Sequence, residues 1–204
     1  MSVPMMMGYH SRGMNPRSAR AQRESEAALN ALLERYRAGD GSALNAIMVE
    51  VYPLVHRFVF RLVGAHRHEL HEDLVQASLE QLCGAIDGFE GRSRMSTFVF
   101  GICYRVVARQ RRAERIRNLF RRVAEDATLP SAPQAADDLL DRARLVFEAH
   151  RALDRLDAHE RAAFVMHELE DQGLEDIAAA MRCSTRTVKR RLRSARTKIA
   201  RGTP

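Results

Sequence analysis

From Arg182 to Arg201 the chain carries nine basic side chains and no acidic one, threaded through an apolar stripe at helical spacing. Val188, Leu192, Ala195 and Ile199 follow at i, i+4, i+7 and i+11, so one face of a helix packs inward while the cations project from the others. A helix so charged can be buried along a single stripe only, which constrains the fold more than any other segment does. Alone, such a face reads as a solvated surface. The preceding residues make it specific: Leu174, Ile177, Ala178 and Met181 mark a second short amphipathic helix, with Gly173 as its N-cap and Asp176 near its positive end. Arg182, Cys183 and Ser184 form a tight turn, and Ser184 or Thr185 caps the helix that follows. Two short helices joined by such a turn make a helix-turn-helix. Arg186, Thr187, Lys189, Arg190 and Arg193 then stand where side chains reach base edges and phosphates in a major groove.

A length of 204 residues permits one large domain or two small ones, and a formal charge of +7 favours a polyanionic partner. No apolar run approaches the ~20 residues of a membrane-spanning helix. The N-terminus lacks the apolar core of a signal peptide, so a cytoplasmic protein without membrane insertion is expected. Cys83, Cys103 and Cys183 are widely spaced with no CxxC pair, as in a reduced compartment. Long segments of helical period and the near absence of strand-like alternation predict an all-α chain.

The order of segments predicts two small helical domains. Residues 1–23 are aperiodic and read as a disordered tail. Residues 24–120 form a helical bundle, with a helix from Ser25 to Ala38 and a turn through Gly39 in which Ser42 caps the next helix. Pro53 is expected in the first turn of a further helix carrying Leu54, Val55, Phe58, Val59 and Leu62. Val75, Leu79, Leu82 and Ile86 mark a helix to Gly88, Phe89 to Ser96 a loop, and Thr97 to Arg117 a long helix. Residues 121–141 read as a flexible acidic linker: between Val123 and Asp141 lie Glu125, Asp126, Asp137, Asp138, Pro130 and Pro133 but no Lys or Arg. Residues 142–204 hold the helix-turn-helix.

The long helix of the first domain carries a second cationic cluster, Arg105, Arg109, Arg111, Arg112, Arg115, Arg117, Arg121 and Arg122, opposed only by Glu114. Phe98, Phe100 and Tyr104 lie beside it, with Arg92 and Arg94 in the preceding loop. Aromatic rings beside a positive groove suit single-stranded bases, whereas Phe98 and Ile102 also fit an inward face. His66, His68, His71 and Glu72 make an HxHxxHE pattern that could ligate zinc, although a solvated turn is the more ordinary role and no metal or other cofactor is expected. The chain has no P-loop, nucleophile elbow or Gly-rich phosphate cradle, so catalysis of its own is not expected.

Together these residues resemble the compact, two-domain extracytoplasmic-function (ECF) sigma factors of the sigma-70 family. Glu72, Asp73, Leu74, Val75 and Gln76 match the family's core-polymerase-binding helix; Phe89, Gly91, Ser96, Thr97 and Phe98 resemble its F-x-G…(S/T)-T-(W/F) loop. Glu170 to Leu192 looks like its promoter-reading helix-turn-helix. The resemblance implies a subunit that docks on RNA polymerase core through Glu72, Asp73 and Gln76 and directs it to promoter DNA. Arg92, Arg94, Phe98, Tyr104, Arg105, Arg109 and Arg112 would bind and open the minus-10 element, with a flipped base held by the loop Gly88 to Ser96. Arg186, Thr187, Lys189, Arg190 and Arg193 would read the minus-35 element, and the acidic linker would thread the RNA exit path. An anti-sigma factor is a further partner implied by resemblance. Cys83 and Phe98 stand where the family commonly has Trp and Arg105 where it has Asn, with an Asp near Arg109; the extra arginines imply firmer phosphate contacts and weaker base discrimination. The alternative is a stand-alone helix-turn-helix regulator whose first domain serves effector binding or dimerisation; it would bind duplex operators tightly without polymerase.

Overall fold

The computed structural model describes residues 16–122 and 151–201, with 16–23, 65, 66, 68 and 118–122 described by backbone alone. The first module contains α1 (Pro16–Arg37), α2 (Ser42–Val63), α3 (His71–Cys83) and α4 (Met95–Arg122), with 3-10 turns at Ala65–Leu70 and Ile86–Gly88. The second contains a helical turn at 151–154, α5 (Ala158–Phe164), a π-helical turn (Val165–Leu169), α6 (Leu174–Ala180) and α7 (Thr185–Ala200). Among the described residues there is no strand, and no helix is long and apolar enough to cross a membrane. The expected linker lies outside the described residues from 123 onward, as does the start of the second module.

Several boundaries differ from the sequence pattern for identifiable reasons. α1 starts at Pro16 rather than near Ser25, because proline suits a first helical position and Ala19, Arg20, Ala21, Gln22 and Arg23 favour helix without an apolar stripe to announce it. α2 runs unbroken from Ser42 to Val63 with Pro53 inside it, where a new helix start was expected. The carbonyl that Pro53 leaves without a donor is that of Val49, a residue 66% exposed, so water can satisfy it. Ala43, Ile47, Val51, Val55, Phe58, Val59 and Leu62 are buried along the opposite face and hold the helix together across the proline. Ser42 does not cap α2; the Asp40 carboxylate accepts from its N–H (3.0 Å) and its hydroxyl (2.6 Å). α3 ends at Cys83, before the expected Gly88. α4 starts at Met95 because the Glu26 carboxylate reaches across from α1 and accepts from the N–H groups of Met95 (3.0 Å) and Ser96 (2.9 Å), and it continues past Arg117 to Arg122.

The second module is capped more locally. Asp157 accepts from the N–H groups of His159 and Glu160, while the Glu160 side chain accepts from the Asp157 N–H, a complete capping box at the start of α5. Beyond α5 the π-helical turn shifts the chain by one residue and aims Glu170 inward, where it is 2% exposed. α6 ends in a Schellman arrangement, with Arg182 N–H donating to the Ala179 carbonyl (3.2 Å) and Cys183 N–H to that of Ala178 (2.9 Å). Arg182 takes the left-handed conformation that this cap demands, at φ 49°.

The buried side chains of both modules form one continuous core rather than two. α4 meets α6 so closely that a Cβ on Gly101 would lie 3.3 Å from the Ala180 Cα. Glu170 receives Arg57 (3.1 Å) and Arg61 from α2, and Thr97 of α4 donates to the buried Gln172 (2.6 Å). Arg161 of α5 is itself buried, giving Nε to the Arg61 carbonyl (2.7 Å) and Nη1 to Asp154 (2.6 Å). Burial pulls its guanidinium below the ordinary arginine range, and Asp154 opposes the shift.

Candidate nucleic-acid interface

The second helix of the helix-turn-helix is anchored from below. Val188, Leu192 and Ala195 are buried and Ile199 is half-buried, the stripe expected from spacing. Ser184 is the N-cap; its hydroxyl accepts from the Thr187 N–H (3.2 Å) and lies 3.0 Å from the Thr187 hydroxyl. Thr187 is therefore half-covered and tied to the cap, while Arg186, Lys189, Arg190 and Arg193 are exposed at i, i+3, i+4 and i+7 on one face. Among the described residues these four make no ion pair or side-chain hydrogen bond.

The remaining cations of α7 are occupied. Lys198 binds Glu160 at 2.6 Å and Arg196 binds Glu168 at 2.5 Å, and Arg191 donates to the Cys183 sulfur at 3.3 Å. Burial alone would raise the Glu160 carboxyl, but hydrogen bonds from Lys198, Ser194 and the Asp157 N–H outweigh it and hold the group below the usual carboxylate range. The helix thus has a tethered flank and a bare face. Free cations on a rigid scaffold suit a polyanion, since no internal partner must be displaced.

α4 divides its arginines differently. Arg111 donates to the Leu62 carbonyl (2.8 Å) at the C-terminal end of α2, where a cation complements the helix dipole, so its role is structural. Arg109 reaches Gln81 (3.1 Å), and Arg112 is exposed. Arg105 is half-buried beside Arg182 of the other module, and burial followed by that like charge pulls its pKa down. Arg92 pairs with Glu90 in the loop, and Arg94 lies 3.9 Å from Asp176. Phe98 is half-buried against Phe89 with centroids 4.9 Å apart, and Phe100 stacks on Phe58 in the core at 4.2 Å. Tyr104 is only 8% exposed, its hydroxyl 2.5 Å from Nδ1 of His159 on the second module. Burial raises the tyrosine pKa and, with Arg191 nearby, lowers that of His159.

On α3, Glu72, Asp73 and Gln76 are exposed in the first turns, and Gln76 bonds Glu80 at 3.0 Å. Of the histidine pattern, His71 is buried at the start of α3, and the side chains of His66 and His68 lie outside those described. A cluster within ligating distance instead joins His71 and Glu72 to His56 of α2. Sequence spacing could not reveal His56, because only the packing of α2 on α3 brings it near. The same holds for Glu170 and Gln172, which link the modules through contacts remote in the chain.

Two family models match the chain: sigma-70 region 2 over residues 47–117 and sigma-70 region 4 over residues 147–199. Among curated proteins, the ECF RNA polymerase sigma factor EcfG of Rhodopseudomonas palustris is 30% identical over 156 residues, covering 72% of this chain and 78% of that protein. The RNA polymerase sigma-H factor of Pseudomonas aeruginosa is 28% identical over 179 residues, covering 82% of this chain and 90% of that protein. Among solved structures, the sigma factor RpoE in complex with the anti-sigma factor NepR from Bartonella quintana superposes with a TM-score of 0.53 at 25% identity, over 77% of this chain and 94% of that one. CnrH in complex with the cytosolic domain of CnrY shares the fold, with a TM-score of 0.57 at 18% identity over 85% of this chain and 95% of that one.

Proposed function

Because this chain belongs to the ECF sigma factors of the sigma-70 family, which bind RNA polymerase core and direct it to promoters, we propose how its own residues divide that work. The bare face of α7 reads the minus-35 element: Arg186, Lys189, Arg190 and Arg193 contact bases and phosphates, and Thr187 reaches the groove edge beside its cap. This carries the reading, because four exposed cations on one face have no partner among the described residues while their neighbours on the same helix do. A stand-alone regulator is not favoured, since the region 2 match covers the module such a regulator would use for effector binding or dimerisation.

Glu72, Asp73 and Gln76 form the core-docking face, held rigid by the buried Leu74, Val75, Ser78 and Leu82 on the reverse of α3. The loop before α4 and the surface of α4 engage the minus-10 element through Arg92, Arg94, Phe98, Tyr104, Arg105, Arg109 and Arg112. Tyr104 and Arg105 are covered by the second module, so the two modules must separate before α4 can receive an opened strand. The packed arrangement is then a resting form. Its similarity to RpoE, solved with an anti-sigma factor, supports a binding partner that holds this chain in such a form. The protein acts in the cytoplasm, and the chemistry of transcription belongs to the polymerase.

Run-off transcription with core polymerase and promoter fragments tests this division. Asp73→Arg reverses the charge of the docking face and is expected to abolish co-purification with core. Core capture at parental affinity by that variant would overturn the docking assignment.

A further inference from the structure

We propose that His56, His71 and Glu72 form a binding site for a divalent transition ion of the zinc class. The 3-10 turn Ala65–Leu70 brings the first turn of α3 against α2, so that Nδ1 of His71 lies 3.6 Å and Nε2 of His56 3.9 Å from the same Glu72 oxygen. One ligand atom from each residue lies within 4.8 Å of the other two. Zinc bonds of about 2.0–2.2 Å in a tetrahedral shell place ligand atoms about 3.3–3.6 Å apart. Small side-chain rotations of the exposed Glu72 and the half-exposed His56 close that difference.

The surroundings of His71 favour the tautomer that ligation needs. Its Nε2 lies 3.2 Å from the His56 carbonyl, which can only accept, so in the neutral ring Nε2 carries the proton and Nδ1, the nitrogen nearest Glu72, keeps the lone pair that a metal would take. A ligating imidazole that donates its other N–H to a backbone carbonyl is the usual support for a bound metal. The ring is 7% exposed and is held edge-on by Phe60 at 5.6 Å and by the His56 ring at 4.4 Å. Two imidazoles and one carboxylate select zinc, cobalt, nickel or copper over magnesium or calcium and leave one position open to water or to a partner's side chain.

Calorimetric titration of the full-length protein with zinc is expected to show one site, weakened at least about tenfold by His56→Ala, as removal of a ligand costs no less than loss of a supporting group. Cobalt(II) is expected to give visible d–d bands in the parent and not in His56→Ala. The buried His71 is left in place so that the fold is preserved, and the His66→Ala, His68→Ala double variant is expected to bind zinc like the parent. No zinc binding by the parent, equal binding by His56→Ala, or loss in the double variant would each overturn the site. Glu72 also belongs to the proposed docking face, and on that reading zinc lowers core capture by the parent but not by His56→Ala. Capture indifferent to zinc, with zinc still bound, would overturn that consequence while the metal site stood.

Discussion

At Arg182 a bulky side chain occupies a position that its own chirality disfavours. The Schellman turn between α6 and α7 requires a left-handed residue, and Arg182 supplies it at φ 49° where glycine is the usual occupant. An L-residue in that region costs about 1–2 kcal/mol. Arg182→Gly is therefore expected to stabilise the fold by up to about 1 kcal/mol after the entropy of the unfolded glycine is set against the gain. A raised midpoint in urea would show it, and a lowered one would place the strain elsewhere. Lys189 and Arg190 make the complementary case on the bare face of α7. Arg190→Ala is expected to lower promoter-specific initiation by about 1–3 kcal/mol if it loses a bidentate base contact, with relaxed preference at one base pair. A purely phosphate role would instead weaken all sequences alike and flatten the salt dependence. Run-off assays on single-base promoter variants at several salt concentrations separate the two, and unchanged initiation throughout would remove Arg190 from the reading face.

The two helices of the helix-turn-helix, α6 and α7, start at caps that lie beside them in the chain, and this is why their starts were legible from sequence, whereas the capping box of α5 was not read there. Gly173, Ser184 and the stripe of Val188, Leu192, Ala195 and Ile199 all sit where spacing alone puts them. The start of α4 could not be read in this way, because its cap is the Glu26 carboxylate from α1, and neither could the π-helical turn that aims Glu170 at α2. α1 could not be read before Ser25 because residues 16–23 carry no apolar period to announce a helix. Within the caps, Glu160 binds three ways, to the Asp157 N–H (3.0 Å), Ser194 (2.6 Å) and Lys198 (2.6 Å), joining the start of α5 to the end of α7. Its folded pKa lies below its ordinary 4.5, so the folded state binds fewer protons than the unfolded one. The stabilisation is therefore complete above pH 4.5 and is lost as pH falls through the lowered value. Glu160→Gln is expected to lower stability at pH 7 while flattening the acid limb of the denaturation profile; an acid limb as steep as the parent's would show that other carboxylates carry it.

Across the whole molecule, the surface that joins the modules is also one that the proposed function needs. Gly101 lets the α4 and α6 backbones touch, and Gly101→Leu is expected to wedge them apart without touching the bare face of α7 or the exposed face of α3. Overpacking of about 1–3 kcal/mol shifts the balance of packed and separated forms by about fivefold to a hundredfold or more. Small-angle scattering should then report a larger radius of gyration, and an unchanged radius would mean that the joint tolerates the wedge. Acid acts on the same joint through His159. Its Nδ1 faces the Tyr104 hydroxyl, with Arg191 on α7 and Arg115 on α4 adding positive charge and Asp157 at the α5 cap opposing them. Burial first and Arg191 next hold its pKa below 6.5; Arg191 remains in the same module when the modules part, so it is the burial against α4 and the charge of Arg115 that leave the packed form with fewer protons there than the separated form. The packed form is thus favoured above pH 6.5 and loses ground as pH falls below it. Scattering measured from pH 8 to pH 5 is expected to show the parent expanding as pH falls, and His159→Asn to show a shallower change. An equally steep change in that variant would assign the response to the other charged contacts at the joint, and Glu170 with Arg57 and Arg61 would be the next to test.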